Sequence, residues 1–232
     1  MHSFLPVLAL VFNAFVWGVS WWPFRQLHGA GLHPLWATAL MYALAVGGLL
    51  LVRPGLLART LQHPALWLLA LSSGLTNVAF NWAVTVGDVV RVVLLFYLMP
   101  AWSVLLAWRV LGERPTRMAV VRLVLAFAGV ALVLVPADAS IDRLVGHLSG
   151  ADLLALAGGF CFALTNVTLR RLHRLPSECR MLAMFGGGAL MATASACAGL
   201  LAGFVTPVPA LASGWVTVAL LLAAAFLLSN YA

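Results

Sequence analysis

The sequence contains no lysine: all 13 basic residues among its 232 are arginine. That absence excludes Schiff-base and lysine-nucleophile chemistry. It also removes the usual phosphate-cradling loop of an ATP-driven pump, which needs a lysine after its glycines. Charge of either sign is scarce, at 8% of residues, where a soluble domain carries roughly a quarter. So little charge cannot cover a water-facing surface. The three cysteines, Cys161, Cys179 and Cys197, have no paired spacing, so neither a disulfide framework nor a thiolate metal site follows from them. They read as small apolar packing residues. The histidines, His2, His28, His33, His63, His147 and His173, all fall near the ends of apolar runs, which leaves no candidate for a histidine-based site at membrane depth. Neither a metal nor a cofactor is expected.

What the chain has instead is apolar length: 64% of its residues are hydrophobic. A hydrocarbon core about 30 Å thick is crossed by about 20 helical residues. Uncharged stretches of that order run from Phe4 to Phe24, Pro34 to Val52, Pro64 to Gly87, Val92 to Trp108 and Leu153 to Leu169, and a further apolar one, near Met118 to Pro136, carries a single charge, Arg122. From Met181 to Ala232 there is no charge, and Pro207 and Pro209 divide that stretch into a seventh span and an eighth. The expected fold is all-α, a polytopic membrane bundle of about eight transmembrane helices, with the lipid bilayer as its partner. The first stretch lacks the basic start and the small-residue cleavage site of a secretory signal, so it is expected to remain as a helix.

Short connections must alternate sides, and the arginines then sort by side. With the N-terminus in the cytoplasm, the cytoplasmic connections carry Arg53, Arg59, Arg109, Arg114, Arg117, Arg122, Arg170, Arg171, Arg174 and Arg180. The opposite side keeps Arg25, Arg91 and Arg143, with most of the acids: Asp88, Asp138, Asp142 and Asp152. This bias predicts a cytoplasmic N-terminus in a bacterial inner membrane. The basic residues lie in short clusters between apolar runs and form no single basic face, so nucleic acid is not an expected partner. Gly199 and Gly203 form a small-xxx-small pair that suits close helix packing within the bundle or a homodimer face.

Polar side chains at membrane depth are costly unless they meet a cavity or another helix. Ser73, Asn77, Asn81, Thr85 and Asp88 follow one another at steps that place them on one helical face. Two readings stand side by side: this face lines a solute pathway, with Asn77 and Asn81 supplying hydrogen bonds, or it bonds to neighbouring helices. Asn13 and Trp17 share a face in the first span with Ser20 or Trp21, while Trp21 and Trp22 suit an interfacial belt. In the fourth span Tyr97, Pro100, Val104 and Trp108 share a face, and a proline at that depth frees backbone groups and can kink the helix. Thr165 and Asn166 are further pathway candidates in the sixth span, and Tyr231 in the eighth. Asp88 can cap the fourth helix, with Arg91 one turn on and within pairing reach. Glu113 sits among Arg109, Arg114 and Arg117 at the cytoplasmic rim, and these charges are expected to anchor or gate rather than react.

The run Phe96-Tyr97-Leu98-Met99-Pro100, an apolar helix, and then Leu111-Gly112-Glu113-Arg114 resembles the fourth helix of the EamA-like family of the drug/metabolite transporter superfamily. Asp88 in the short preceding loop and the arginine-rich turn after Glu113 fit the same resemblance. It implies ten helices in two five-helix halves, the second inverted relative to the first. Residues 1–138 would be the first repeat and residues 149–232 an incomplete second repeat of about three helices. Weak internal echoes agree: Leu8-Ala9-Leu10 with Leu154-Ala155-Leu156, and Asn77-Val78-Ala79 with Asn230-Tyr231-Ala232. Against that pattern the end of the eighth helix and all of the ninth and tenth are missing, so a truncated chain is expected.

The implied activity is secondary transport, the export of small organic metabolites such as amino acids, with a small-molecule solute as partner and no enzymatic step. The missing helices keep a non-transporting membrane scaffold open as an alternative. A remote one is a lipid acyltransferase, because His147 and Asp152 have the H-x4-D spacing. Ser149 and Asp152 equally occupy the capping positions of the sixth apolar run.

Overall fold

The computed structural model describes residues 5–134, 149–208, 217–220 and 222–225. Every regular element among them is helical: α1 (Leu5–Val19), α2 (Trp21–Gly29), α3 (Pro34–Val52), α4 (Leu56–Leu61), α5 (Leu66–Val86), α6 (Val89–Phe96), α7 (Met99–Leu106), a π turn (Ala107–Leu111), α8 (Arg117–Leu134), α9 (Gly150–Arg171) and α10 (Ser177–Leu201). Among the described residues four helices are long and apolar enough to cross a membrane: Pro34–Val52, Val89–Leu111, Gly150–Arg171 and Ser177–Leu201.

The distribution of polarity is the inverse of a soluble protein's. Ser72, Ser73, Thr76, Asn77, Asn81, Thr85, Thr165 and Thr168 are buried, while Leu51 is 86% exposed and Leu201 90% exposed. Large apolar side chains on that scale belong in hydrocarbon, where each backbone amide must find its partner inside the helix. The chain is a polytopic membrane helix bundle.

Two of the expected spans are broken. The first divides at Ser20 into α1 and α2. Pro23 has no amide to give Val19, and its ring crowds that carbonyl. The Ser20 hydroxyl bonds back to the Trp17 carbonyl at 2.9 Å, so part of the freed backbone is satisfied locally. The fourth divides at Tyr97 and Leu98 between α6 and α7. Here Pro100 leaves the Phe96 carbonyl without its helical partner, and that oxygen faces Gly159 of α9, where an added Cβ would lie 2.8 Å away. The same span then widens into the π turn and closes at Gly112, whose φ of 72° is a left-handed helix cap.

Helix α5 is the hub, packed against α3, α9 and α10. Glycine makes the crossings close. A Cβ on Gly187 would collide with the Ala70 carbonyl, and one on Gly188 would meet the Tyr42 ring at 2.8 Å. Gly199 and Gly203 do something else: Gly203 lies beyond the end of α10 with φ of 81°, and the Phe204 amide bonds the Gly199 carbonyl at 3.0 Å. Side chains of Phe204 and Val205 cover Gly199, so the pair closes its own helix end. α8 is peripheral; its described side chains are exposed or half-buried.

The connections gather at two ends. At the arginine-rich end Arg53 pairs with Glu178, and Arg170 with Glu113 at 2.7 Å. At the other end Arg91 pairs with Asp152 at 2.9 Å. There Arg25 also donates to the carbonyls of Val84 at 3.2 Å and Gly87 at 2.5 Å, closing the C-terminal turn of α5.

Candidate functional site

Helix α5 carries its polar residues into the interior. Thr76 and Thr85 return their hydroxyls to the helix carbonyls of Ser72 and Asn81, at 2.8 and 2.5 Å. Asn77, Asn81 and Ser72 also bond across to neighbours. Tyr42 of α3 donates its phenol to Asn77 Oδ1 at 2.6 Å, while Asn77 Nδ2 donates to the Ser73 carbonyl at 2.8 Å. Asn81 Nδ2 donates to Thr38 Oγ1 of α3 at 3.2 Å, and Thr165 of α9 donates to Ser72 Oγ at 3.1 Å. A polar ladder thus ties α3 and α9 to α5 through a layer otherwise made of apolar side chains. One atom in it is left over: Asn81 Oδ1 is buried and has no hydrogen-bond partner among the described residues.

Asn77 and Asn81 are therefore brought together with Tyr42 and Thr38, two residues that the sequence pattern did not single out. A lone tyrosine in the apolar run of α3 was the available signal. Trp17 is half-buried and meets Phe80 edge-on with ring centroids 6.0 Å apart. Phe80 continues to Phe96 at 4.7 Å, and Phe96 to Phe162 at 5.5 Å, a run of rings from α1 through α5 and α6 to α9. Asn13 and Asn166 are half-buried, while Tyr97 and Pro100, at the break between α6 and α7, are exposed. Tyr231 and His147 lie outside the described residues.

The charged candidates divide between the two ends. Asp88 Oδ1 accepts from the Arg91 amide at 2.8 Å and so caps α6. The Arg91 guanidinium turns away from Asp88 to Asp152 of α9, which is only 2% exposed. Asp152 also closes a capping box with Ser149. With Trp82, Gly87 and Ala151 these residues line a cleft of about 780 Å³. Glu113 pairs with Arg170 across to α9, not with the arginines beside it in sequence. Because short connections put Arg91 and Asp152 on one side, their proximity was half-visible beforehand; the register between α6 and α9 was not.

His33 caps α3, its Nδ1 accepting from the Leu35 amide at 3.3 Å. Partial burial, and then the neighbouring His28, hold its imidazole below the ordinary histidine value.

A solved structure titled "Crystal structure of protein" superimposes with a TM-score of 0.58 at 22% identity, covering 97% of this chain and 78% of that one. This likeness establishes the shared fold. No curated protein matches the chain. Residues 4–135 match the EamA-like transporter family. That match takes in the buried ladder on α3 and α5, the α6–α7 break and Glu113, and with it the chain belongs to the EamA-like family of membrane transporters.

Proposed function

We propose that the chain works in secondary transport of small neutral or zwitterionic metabolites, exporting solutes such as amino acids across a bacterial inner membrane with its N-terminus in the cytoplasm. In this reading the chain has about eight spans, residues 1–138 forming the first, five-helix repeat and residues 149–232 an incomplete, inverted second one of about three helices. The solute pathway follows the α5 face, with Asn77 and Asn81 as hydrogen-bonding groups and Asn13, Trp17, Tyr97, Pro100 and Asn166 contributing along its length. Asp88, Arg91 and Glu113 act at the rims as anchors or gates.

The observation that supports this most is the unpartnered Asn81 Oδ1. A buried amide carbonyl without a donor is unfavourable by about 1–3 kcal/mol, and a bundle built only for packing gains nothing from keeping one. A solute ammonium or hydroxyl supplies the missing donor when α3 and α5 part. The test is efflux from a bacterial host expressing the protein, with Asn81→Leu and Asn77→Leu compared at equal membrane abundance. Lost efflux in folded variants supports the pathway; undiminished efflux assigns the ladder to packing alone.

A further inference from the structure

At the arginine-rich end a second cavity, of about 220 Å³, lies between the end of α9 and the start of α10. Its lining has two chemistries: Arg180 and Ser177 on one side, and Leu169, Met181, Met184 and Phe185 on the other. The Nε of Arg180 is buried and has no hydrogen-bond partner among the described residues. This one N–H of a half-buried guanidinium is withdrawn from water without an acceptor, which is costly and which an anion's oxygen would relieve.

Nearby groups reinforce that deficit. Pro176, the residue before α10, offers no side-chain cap, so the first amides of a 25-residue helix end beside Ser177. The carboxylate of this first turn, Glu178, is committed to Arg53. Arg171, the last residue of α9, and Arg174 in the connection after it are exposed and add positive potential. An inorganic anion would satisfy Arg180 but leave the methionines and Phe185 uncovered. An anion attached to a hydrocarbon chain satisfies both.

We propose that this cavity binds an anionic phospholipid, its phosphate group between Arg180 and Ser177 and its chain along Met181, Met184 and Phe185. Basic pockets between membrane helices recognise lipid headgroups in this way. The assignment depends on the chain being a membrane bundle and is independent of which solute it carries.

The experiment is native mass spectrometry of the purified full chain titrated with phosphatidylglycerol, phosphatidylcholine or inorganic phosphate. Wild type is expected to prefer phosphatidylglycerol. Arg180→Gln is expected to weaken that binding about fivefold, the fold-change of one basic residue at an anionic surface. Arg180→Lys should keep much of it, and Arg174→Gln, altering an exposed arginine outside the cavity lining, should weaken it clearly less than Arg180→Gln does. Equal binding of phosphatidylcholine by wild type overturns the proposal without any variant, which covers a failure of Arg180→Gln to fold. So does displacement of the lipid by an equimolar amount of inorganic phosphate, which would make this a free-phosphate site. An equal loss in Arg174→Gln would reduce the effect to general surface charge and overturn it too.

Discussion

Tyr42 and Asn77 form the shortest cross-helix bond of the polar ladder, and both are buried. Replacing Tyr42 by Phe keeps the ring packed against Gly188 and Phe185 but strips Asn77 Oδ1 of its donor. Hydrogen bonds inside membrane bundles are worth about 0.6 kcal/mol on average and at most about 1.7. Tyr42→Phe should therefore lower stability by about 1 kcal/mol in detergent unfolding, because the abandoned carbonyl is buried. The α5 half of the ladder was legible from its spacing alone, since successive polar residues one turn apart must share a face. The α3 half was not: Thr38 and Tyr42 sit in a run that reads as uniformly apolar, and their bonds to Asn81 and Asn77 exist through the crossing with α5. His33 offers a different test. Its imidazole favours the neutral form when folded, so nothing is lost above the unfolded value of 6.5. Below that value the unfolded chain binds the proton more readily, and stability falls until the folded group also titrates. Melting in detergent should be level above about pH 6.5 and decline below it. His33→Asn, which retains a capping side chain, should flatten it.

Among the helices, neighbouring glycines on α10 separate a packing requirement from mere small size. Gly186 faces open space, whereas Gly187 abuts the backbone of α5 at Ala70. Alanine is preferred to glycine in a helix by about 1 kcal/mol. Gly186→Ala should consequently be neutral or stabilising, whereas Gly187→Ala must push α5 and α10 apart at a cost of about 1–3 kcal/mol. Equal melting temperatures for the two variants would contradict this. The positions of the helices follow directly from apolar length bounded by arginine, proline and glycine; α3 spans Pro34–Val52, the limits read from sequence. The break at Ser20 is not readable in that way, whereas the one at Tyr97 answers to the kink that Pro100 allows. Hydropathy is blind to backbone direction, and a proline near a helix start is tolerated as readily as one at a kink. Pro23 and Pro100 decide the matter through the carbonyls they leave free, and one of those carbonyls needs Gly159 opposite.

Across the whole molecule, all three ion pairs among the described residues join the part before residue 138 to the part after residue 149: Arg91 with Asp152 at one end, and Glu113 with Arg170 and Arg53 with Glu178 at the other. They differ sharply in environment. Asp152 is 2% exposed at the side chain, whereas Arg170 and Glu113 are 60% and 50% exposed. An exposed pair in water gains little Coulomb energy and loses side-chain entropy, so Glu113→Gln should change stability by about 0–1 kcal/mol. Removing Arg91 instead leaves a buried carboxylate without its cation, a change that costs about 3–5 kcal/mol where no other group compensates. Here the Ser149 amide still donates to Asp152 Oδ2 at 2.9 Å, which lowers the expected cost of Arg91→Gln to about 1–3 kcal/mol. Arg91→Gln combined with Asp152→Asn should recover part of that loss, because no charge is then buried. If the two ends of the bundle open in turn during transport, the buried pair is the stiffer closure. Efflux in Arg91→Gln should then change more than in Glu113→Gln at matched abundance, and the opposite ranking would place the controlling contact at the arginine-rich end.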